Sequence, residues 1–240
     1  MPPSIARWPR LAALERWLLP AECIICQGSA GSDDPLICDL CRRRWRQISA
    51  PWCDRCGQPK VDDLPCRLCA AWPGALSRAR SGVWLDDGAR QGVHALKYSG
   101  WWRVTAQLAR AMTGLEPLAE GIILVPVPLA PKRLARRGYN QAERLASALG
   151  ALTGHPVADA ALARRRETPT QTALTPEERR VNVSGAFAGS GVAGRCAVLV
   201  DDVLTTGATL GACAEALVAA GAVKVEAVTF ARARAVGEFN

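Results

Sequence analysis

The sequence predicts an α/β protein, a mainly parallel sheet with helices on both faces, preceded by a small metal-bound module. Three observations carry the prediction. Four CxxC pairs crowd the first third of the chain, short apolar runs alternate with amphipathic windows after Pro73, and one apolar run ends in two carboxylates and a Thr-Thr-Gly turn.

Composition sets the frame. The 240 residues are 49% hydrophobic and 22% charged, enough apolar surface to offset chain entropy, which excludes a fibre or a disordered tail. No apolar run reaches the roughly 18–20 residues of a membrane helix, so no membrane span is expected. Thirty basic against 22 acidic side chains give +8, a balance that favours a polyanionic partner without specifying one. The surplus is concentrated in residues 132–180.

Eight of the ten cysteines form the pairs Cys23/Cys26, Cys38/Cys41, Cys53/Cys56 and Cys66/Cys69. A disulfide framework would require export. Residues 1–20 scatter Arg7, Arg10, Glu15 and Arg16 and have no continuous apolar core before a small-residue cleavage site, unlike a signal peptide. They are assigned to an N-terminal amphipathic helix, and the protein is expected in the cytoplasm. Reduced thiols in CxxC pairs point to zinc.

The pairs repeat, Cys53-Asp54-Arg55-Cys56-Gly57 echoing Cys23-Ile24-Ile25-Cys26-Gln27-Gly28. Cys23, Cys26, Cys38 and Cys41 are therefore assigned to one zinc, and Cys53, Cys56, Cys66 and Cys69 to a second; interleaved pairing satisfies the same spacing. Gly28 and Gly57 are expected to take the left-handed turn after each first knuckle. Four thiolates leave no open coordination position, so both sites read as structural. A module over 21–73 with few aliphatic runs needs them, since structural zinc supplies about 10–16 kcal/mol per site. The run Arg42, Arg43, Arg44 and Arg46 reads as a solvated face.

Residues 74–240 form the second domain. The run 83–86, a helical window around Val93, Leu96 and Lys97, and residues 102–112 are expected to cover one end of the sheet. The run 122–127, between Gly121 and Pro128, reads as a buried strand. Ala142, Leu145, Ala146, Leu149 and Leu152 follow at helical spacing. A strand over 194–201, a helix over 207–221 and a strand over 223–230 complete the pattern. Cys196 and Cys213 fall on the strand and the helix, as small core residues, while His94 and His155 belong to no motif.

The most specific signal is VLVDDVLTTGAT at 198–209. A helix start offers unpaired N–H groups and a positive dipole end to a phosphate, Gly207 lets the backbone approach closely, and Thr205, Thr206 and Thr209 add hydroxyls. Asp201 and Asp202 stand where they would accept from ribose hydroxyls or hold Mg²⁺ through water.

This segment resembles the phosphoribosyl pyrophosphate (PRPP) signature of type I phosphoribosyltransferases. With the four CxxC pairs, the chain is identified as a member of the ComF family, a double zinc ribbon fused to a phosphoribosyltransferase-like domain. Further similarity lies in Leu96-Lys97-Tyr98, Val125-Pro126-Val127-Pro128, the run from Arg136 through Gly138, Tyr139, Asn140 and Gln141 to Ala142, Thr168-Pro169-Thr170-Gln171, and Arg180-Val181-Asn182-Val183. The resemblance implies that Asp201 and Asp202 bind the ribose hydroxyls and the metal. It implies that Val203, Leu204, Thr205, Thr206, Gly207, Ala208 and Thr209 form the PRPP loop around the 5′-phosphate. It places Lys132, Arg133, Arg136 and Arg137 behind a pyrophosphate loop at 126–131, and makes 164–180 a closing loop with Gln171 and Arg180 as ligand contacts.

The chemistry implied is displacement at ribose C1 with departure of pyrophosphate, aided by Mg²⁺. Several purine enzymes of that class carry an aspartate where this chain has Thr205, so the acceptor stays open, as does turnover against binding alone. Three readings follow: a pentosyl transferase using PRPP in nucleotide metabolism; a ComF-type competence factor acting with DNA-uptake proteins on incoming single-stranded DNA; or a catalytically inactive zinc-ribbon adaptor. Trp45, Trp52, Trp101 and Trp102 beside arginines loosely match a single-strand stacking surface.

Overall fold

The structure, a computed structural model, describes residues 22–30, 36–60, 65–98, 102–166, 183 and 185–234. The expected N-terminal helix, Trp101, Gln171, Arg180 and most of the expected closing loop lie outside the described residues.

A four-stranded sheet organises the chain. Its strands are β1 (Arg78–Trp84), β2 (Ile122–Pro126), β5 (Cys196–Leu204) and β6 (Lys224–Arg232), in the order β1-β6-β5-β2. Every pairing is parallel, which requires crossover connections and buries both faces. That is why β2 and β5 read as unbroken apolar runs. A second sheet pairs β3 (Leu162–Arg164) antiparallel with β4 (Phe187–Gly189). Among the described residues the α-helices are α1 (Asp39–Arg43), α2 (Asp87–Tyr98), α3 (Thr105–Arg110), α4 (Pro131–Arg137), α5 (Gln141–Thr153) and α6 (Ala208–Ala219).

Strand alternation divides the interior into two cores. Val198 and Val200 pack with Leu96 of α2, Leu108 of α3 and Leu145 and Leu149 of α5. Ala197 and Leu199 face the other way, onto Leu210, Cys213, Ala214 and Leu217 of α6 and onto Leu162 and Phe187 of the small sheet. Cys213 is fully buried and Cys196 half-buried, which agrees with their reading as small core residues.

The cysteine-rich segment is shared between these cores. Cys23, Ile37, Cys38, Cys41 and Trp45 join the α2/α3/α5 side, whereas Cys56, Cys69, Trp72 and Leu76 join the α6 side. The ribbon therefore straddles the sheet. Trp45 meets Phe230 of β6 edge-on at 5.0 Å, Gln107 of α3 donates to the Ile37 carbonyl at 2.8 Å, and the backbone N–H groups of Ala79 and Trp84 donate to Arg55 and Arg46.

Two local expectations are corrected. Strand β5 does not stop at Asp201 but runs to Leu204, because Asp201, Val203 and Leu204 stay in register with Thr229, Ala231 and Arg232 of β6. The left-handed residue of the first knuckle is Gln27 (φ 60°), not Gly28, whereas Gly57 (φ 71°) is left-handed in the second as expected. Both turns bend directly after the second cysteine, with Gln27 N–H donating to Cys23 O and Gly57 N–H to Cys53 O at 2.8 Å each.

Candidate phosphoribosyl site and metal centres

The eight cysteines form two clusters. Cys23, Cys26, Cys38 and Cys41 make one, Cys53, Cys56, Cys66 and Cys69 the other, and within each the sulfurs all lie within 4.8 Å of one another. Sequential pairing is thus the arrangement found. A tetrahedral zinc with bonds of about 2.3 Å sets sulfur–sulfur edges near 3.8 Å. The observed contacts fit: Cys26–Cys38 and Cys53–Cys69 at 3.7 Å and Cys56–Cys66 at 3.5 Å.

The knuckles favour one thiolate in each cluster, while burial pushes Cys41, Cys56 and Cys69 up. Burial pushes the Cys23 thiol up, but the backbone N–H groups of Cys38, Cys26 and Ile25 outweigh it and hold the group at about 6. Cys53 follows the same pattern, burial opposed by Cys56 and Arg55 N–H groups, and lies at about 7. Metal ligation by cysteine requires deprotonation, so these backbone dipoles favour it. The two four-cysteine clusters are consistent with two structural zinc sites.

The carboxylates lie on β5, where the chain nears the C-terminal end of the sheet. Asp202 is 3% exposed and Asp201 is half-buried. Asp201 Oδ1 accepts from the backbone N–H of Asp202 at 2.8 Å. The sequence assigned no role to Lys97 at the end of α2, yet its Nζ stands 2.5 Å from Asp202 Oδ2. The contact is a largely buried ion pair.

Charge divides unequally across the pair. Burial and then the Asp202 charge push the Asp201 carboxyl well above its ordinary value. Burial also pushes Asp202 up, but the Lys97 ammonium outweighs it and leaves that carboxyl lowered. Lys97 in turn, although burial works against its charge, is held raised by Asp202. The site thus keeps its negative charge preferentially on Asp202.

After Leu204 the chain turns through Thr205, exposed, and Thr206, half-buried, to Gly207. Gly207, with φ 81°, is the N-cap of α6 and has no side chain to cap it. Thr206 Oγ1 accepts from Ala208 N–H at 3.4 Å. Leu204 is in the core, so any ligand contact it makes is through its backbone.

The loop after β2 begins alongside β5 just before the acidic pair, because Pro126 pairs with Val200 and Val127 N–H donates to Val200 O at 3.0 Å. It leads into α4, which starts at Pro131 and buries none of its residues. Lys132, Arg133, Arg136 and Arg137 thus line a short basic surface helix. Asn140, 2% exposed, fixes the junction: its amide donates to Val127 O at 3.1 Å and its carbonyl oxygen caps α5 at Ala142 N–H. Tyr139 donates its hydroxyl to the Leu96 carbonyl, and the Arg137 guanidinium lies 5.6 Å from the Tyr98 ring centre. The segments around Lys97, Arg137 and Asp202 therefore converge, which their separation along the chain conceals.

Trp45 is core and Trp52 lies half-buried with the Arg80 guanidinium 6.0 Å from its ring centre, so these two pack rather than stack bases. The exposed aromatic beside the basic helix is Tyr98, 64% exposed.

Residues 14–70 match the double zinc ribbon domain, and residues 134–239 match the phosphoribosyl transferase domain. The chain is similar to DNA utilization protein YhgH of Salmonella typhi, 33% identical over 220 residues that cover 87% of this chain and 95% of that protein. It is similar to Competence protein ComFC of Bacillus subtilis, 26% identical over 233 residues, 88% of this chain and 94% of that one. Competence protein F of Haemophilus influenzae is 29% identical over 226 residues, 88% and 96%.

Proposed function

The chain belongs to the ComF family of YhgH, ComFC and Competence protein F, and from that premise we propose that residues 201–209 bind PRPP with Mg²⁺. The observation that carries the proposal is the juxtaposition of the Asp201/Asp202 pair with the left-handed Gly207 that N-caps α6. These suit three parts of one ligand. Asp201 and Asp202 accept the ribose hydroxyls, the N–H groups and hydroxyls of 205–209 hold the 5′-phosphate, and Lys132, Arg133 and Arg137 meet the pyrophosphate. Gln171 and Arg180 complete the set from the closing loop. Asp201 and Asp202 would hold Mg²⁺ through water, and the ion would supply charge neutralisation for the departing pyrophosphate.

Lys97 keeps Asp202 ionised and so a strong acceptor for a ribose hydroxyl. In a transfer, the C1–oxygen bond breaks with its electron pair leaving on pyrophosphate, and a nucleophile closes on C1. Thr205 supplies no carboxylate for a purine, so binding of PRPP comes first and the acceptor is left to experiment.

At the cellular level, we read the protein as a cytoplasmic competence factor that handles single-stranded DNA during uptake. Support comes from its relatives' names and from the exposed Tyr98 beside the basic α4. No helix among the described residues is long and apolar enough to cross a membrane.

Titration of purified protein with PRPP and Mg²⁺, with pyrophosphate release followed in parallel, tests the reading. Wild type should bind and Asp202→Asn should bind at least tenfold more weakly. Release on adding an acceptor panel identifies a transferase, and binding without release identifies a sensor. Failure of wild type to bind overturns both.

A further inference from the structure

Trp72 falls outside every sequence motif, yet it touches two of them. It lies just past Cys69 and is 7% exposed. Its indole N–H donates to the Thr206 carbonyl at 2.7 Å, inside the loop that precedes α6. Its ring covers Gly207 so closely that a Cβ there would fall 2.5 Å from ring atoms. Pro73 continues the contact one turn into α6, where a Cβ on Gly211 would fall 2.9 Å from the proline Cδ.

The other end of this contact is tied to the second cysteine cluster. Arg55, between Cys53 and Cys56, donates to the carbonyls of Cys69, Trp72, Pro73 and Leu76, and its guanidinium lies 5.9 Å from the Trp72 ring centre. Five-donor guanidinium geometry suits such multiple capping, which a flexible ammonium would not reproduce. Arg232 holds the same knuckle from β6, donating to Cys56 O at 2.6 Å and Gln58 Oε1 at 2.7 Å. A continuous path of packed and hydrogen-bonded groups thus runs from the Cys53–Cys56 knuckle through Arg55 and Trp72 to Thr206 and Gly207. The first cluster belongs to the core on the opposite face of the sheet.

We infer that Trp72 is a positioning residue for the 205–209 loop, and that through it the second four-cysteine cluster is energetically coupled to the ligand site more strongly than the first, whose core reaches Asp202 only through α2 and Lys97. The ligand half of this inference rests on the PRPP reading above. Metal in the second cluster fixes the knuckle, the knuckle fixes Arg55 and Trp72, and Trp72 fixes the Thr206 carbonyl and the backbone at Gly207. Coupling between binding sites is reciprocal by linkage. A phosphate ligand on the loop must therefore retain the metal in the second cluster.

The test uses the full-length zinc-loaded protein, challenged with a zinc chelator and a thiol-alkylating reagent, with labelling read for each cysteine by mass spectrometry. PRPP with Mg²⁺ should slow labelling of Cys53, Cys56, Cys66 and Cys69 by roughly fivefold or more, within the usual span of allosteric coupling. Labelling of Cys23, Cys26, Cys38 and Cys41 should be slowed less. Trp72→Phe, which keeps a ring but loses the N–H donor, should retain two equivalents of zinc and reduce the protection to less than about twofold. Equal protection of both clusters, no protection where titration shows PRPP bound, or full protection in Trp72→Phe would each overturn the inference. A second arm needs no ligand: amide exchange at 205–211 is compared in wild type and in protein whose second cluster has been stripped. Faster exchange there supports the coupling even if PRPP proves not to be the ligand, and unchanged exchange refutes it.

Discussion

The Lys97 ammonium stands 2.5 Å from the Asp202 carboxylate, joining the end of α2 to the strand that carries the acidic pair. Lys97→Met leaves a buried carboxylate without its cation, and should lower unfolding stability by roughly 3 kcal/mol. The pH dependence has a definite sign. Asp202 is lowered in the folded protein, so its contribution is complete above its ordinary 3.8 and is lost as pH falls through the folded value. Lys97 is raised, so its contribution is complete below its ordinary 10.5 and is lost as pH rises through the folded value. In Lys97→Met the alkaline loss should vanish. Burial is then no longer outweighed and raises the Asp202 carboxyl, so the acid loss from this group should disappear and stability should instead rise as pH falls through the raised folded value. Urea midpoints measured across pH check this, and superimposable profiles would contradict it.

Gly207 and Gly138 share φ 81°, but only Gly207 has a neighbour in the way: a Cβ on Gly138 meets nothing within 4 Å. Alanine at Gly138 should cost about 1–2 kcal/mol for the left-handed backbone. Alanine at Gly207 should cost that plus about 1–3 kcal/mol for displacing Trp72, and should abolish PRPP binding. Denaturant unfolding of the two variants reads the difference.

Much of the fold was legible because parallel strands buried on both faces are continuous apolar runs, as at 122–126 and 196–200. The extension of β5 through its two aspartates was not, since polar residues inside a strand break the apolar signal and only the β6 register reveals it. The metal clusters could be read from spacing because CxxC ligation is local, although the choice between sequential and interleaved pairing required three dimensions. Lys97 and Trp72 escaped as functional residues for the same reason. Each acts on an element far away in sequence, and neither periodicity nor spacing records such a contact. Lys97 stood within a stretch similar to the family, so the signal existed without its role.

Arg232 is 2% exposed and holds the second knuckle. Arg232→Leu removes the donor to the buried Cys56 carbonyl, at about 1–3 kcal/mol. Metal analysis should find two equivalents of zinc in wild type and less than two in this variant, with the shortfall at Cys53, Cys56, Cys66 and Cys69. Loss from the first cluster instead would contradict the separation of the two centres.

Single-stranded DNA offered to the protein should bind through α4 and Tyr98. With four cations on that helix engaging phosphates, the logarithm of affinity should fall with the logarithm of salt at a slope of about −3. Arg137→Ala should make the slope shallower, and Tyr98→Ala should weaken binding by roughly 1–3 kcal/mol if a base stacks on the ring. A salt-independent affinity would contradict this surface.

The most direct measurement is a crystal structure of the protein with PRPP and Mg²⁺ bound. The 5′-phosphate should lie within hydrogen-bond distance of backbone N–H groups in 206–209, with the ribose hydroxyls on Asp201 and Asp202. PRPP bound elsewhere on the protein, with the 201–209 segment free of ligand at saturation, would contradict the assignment.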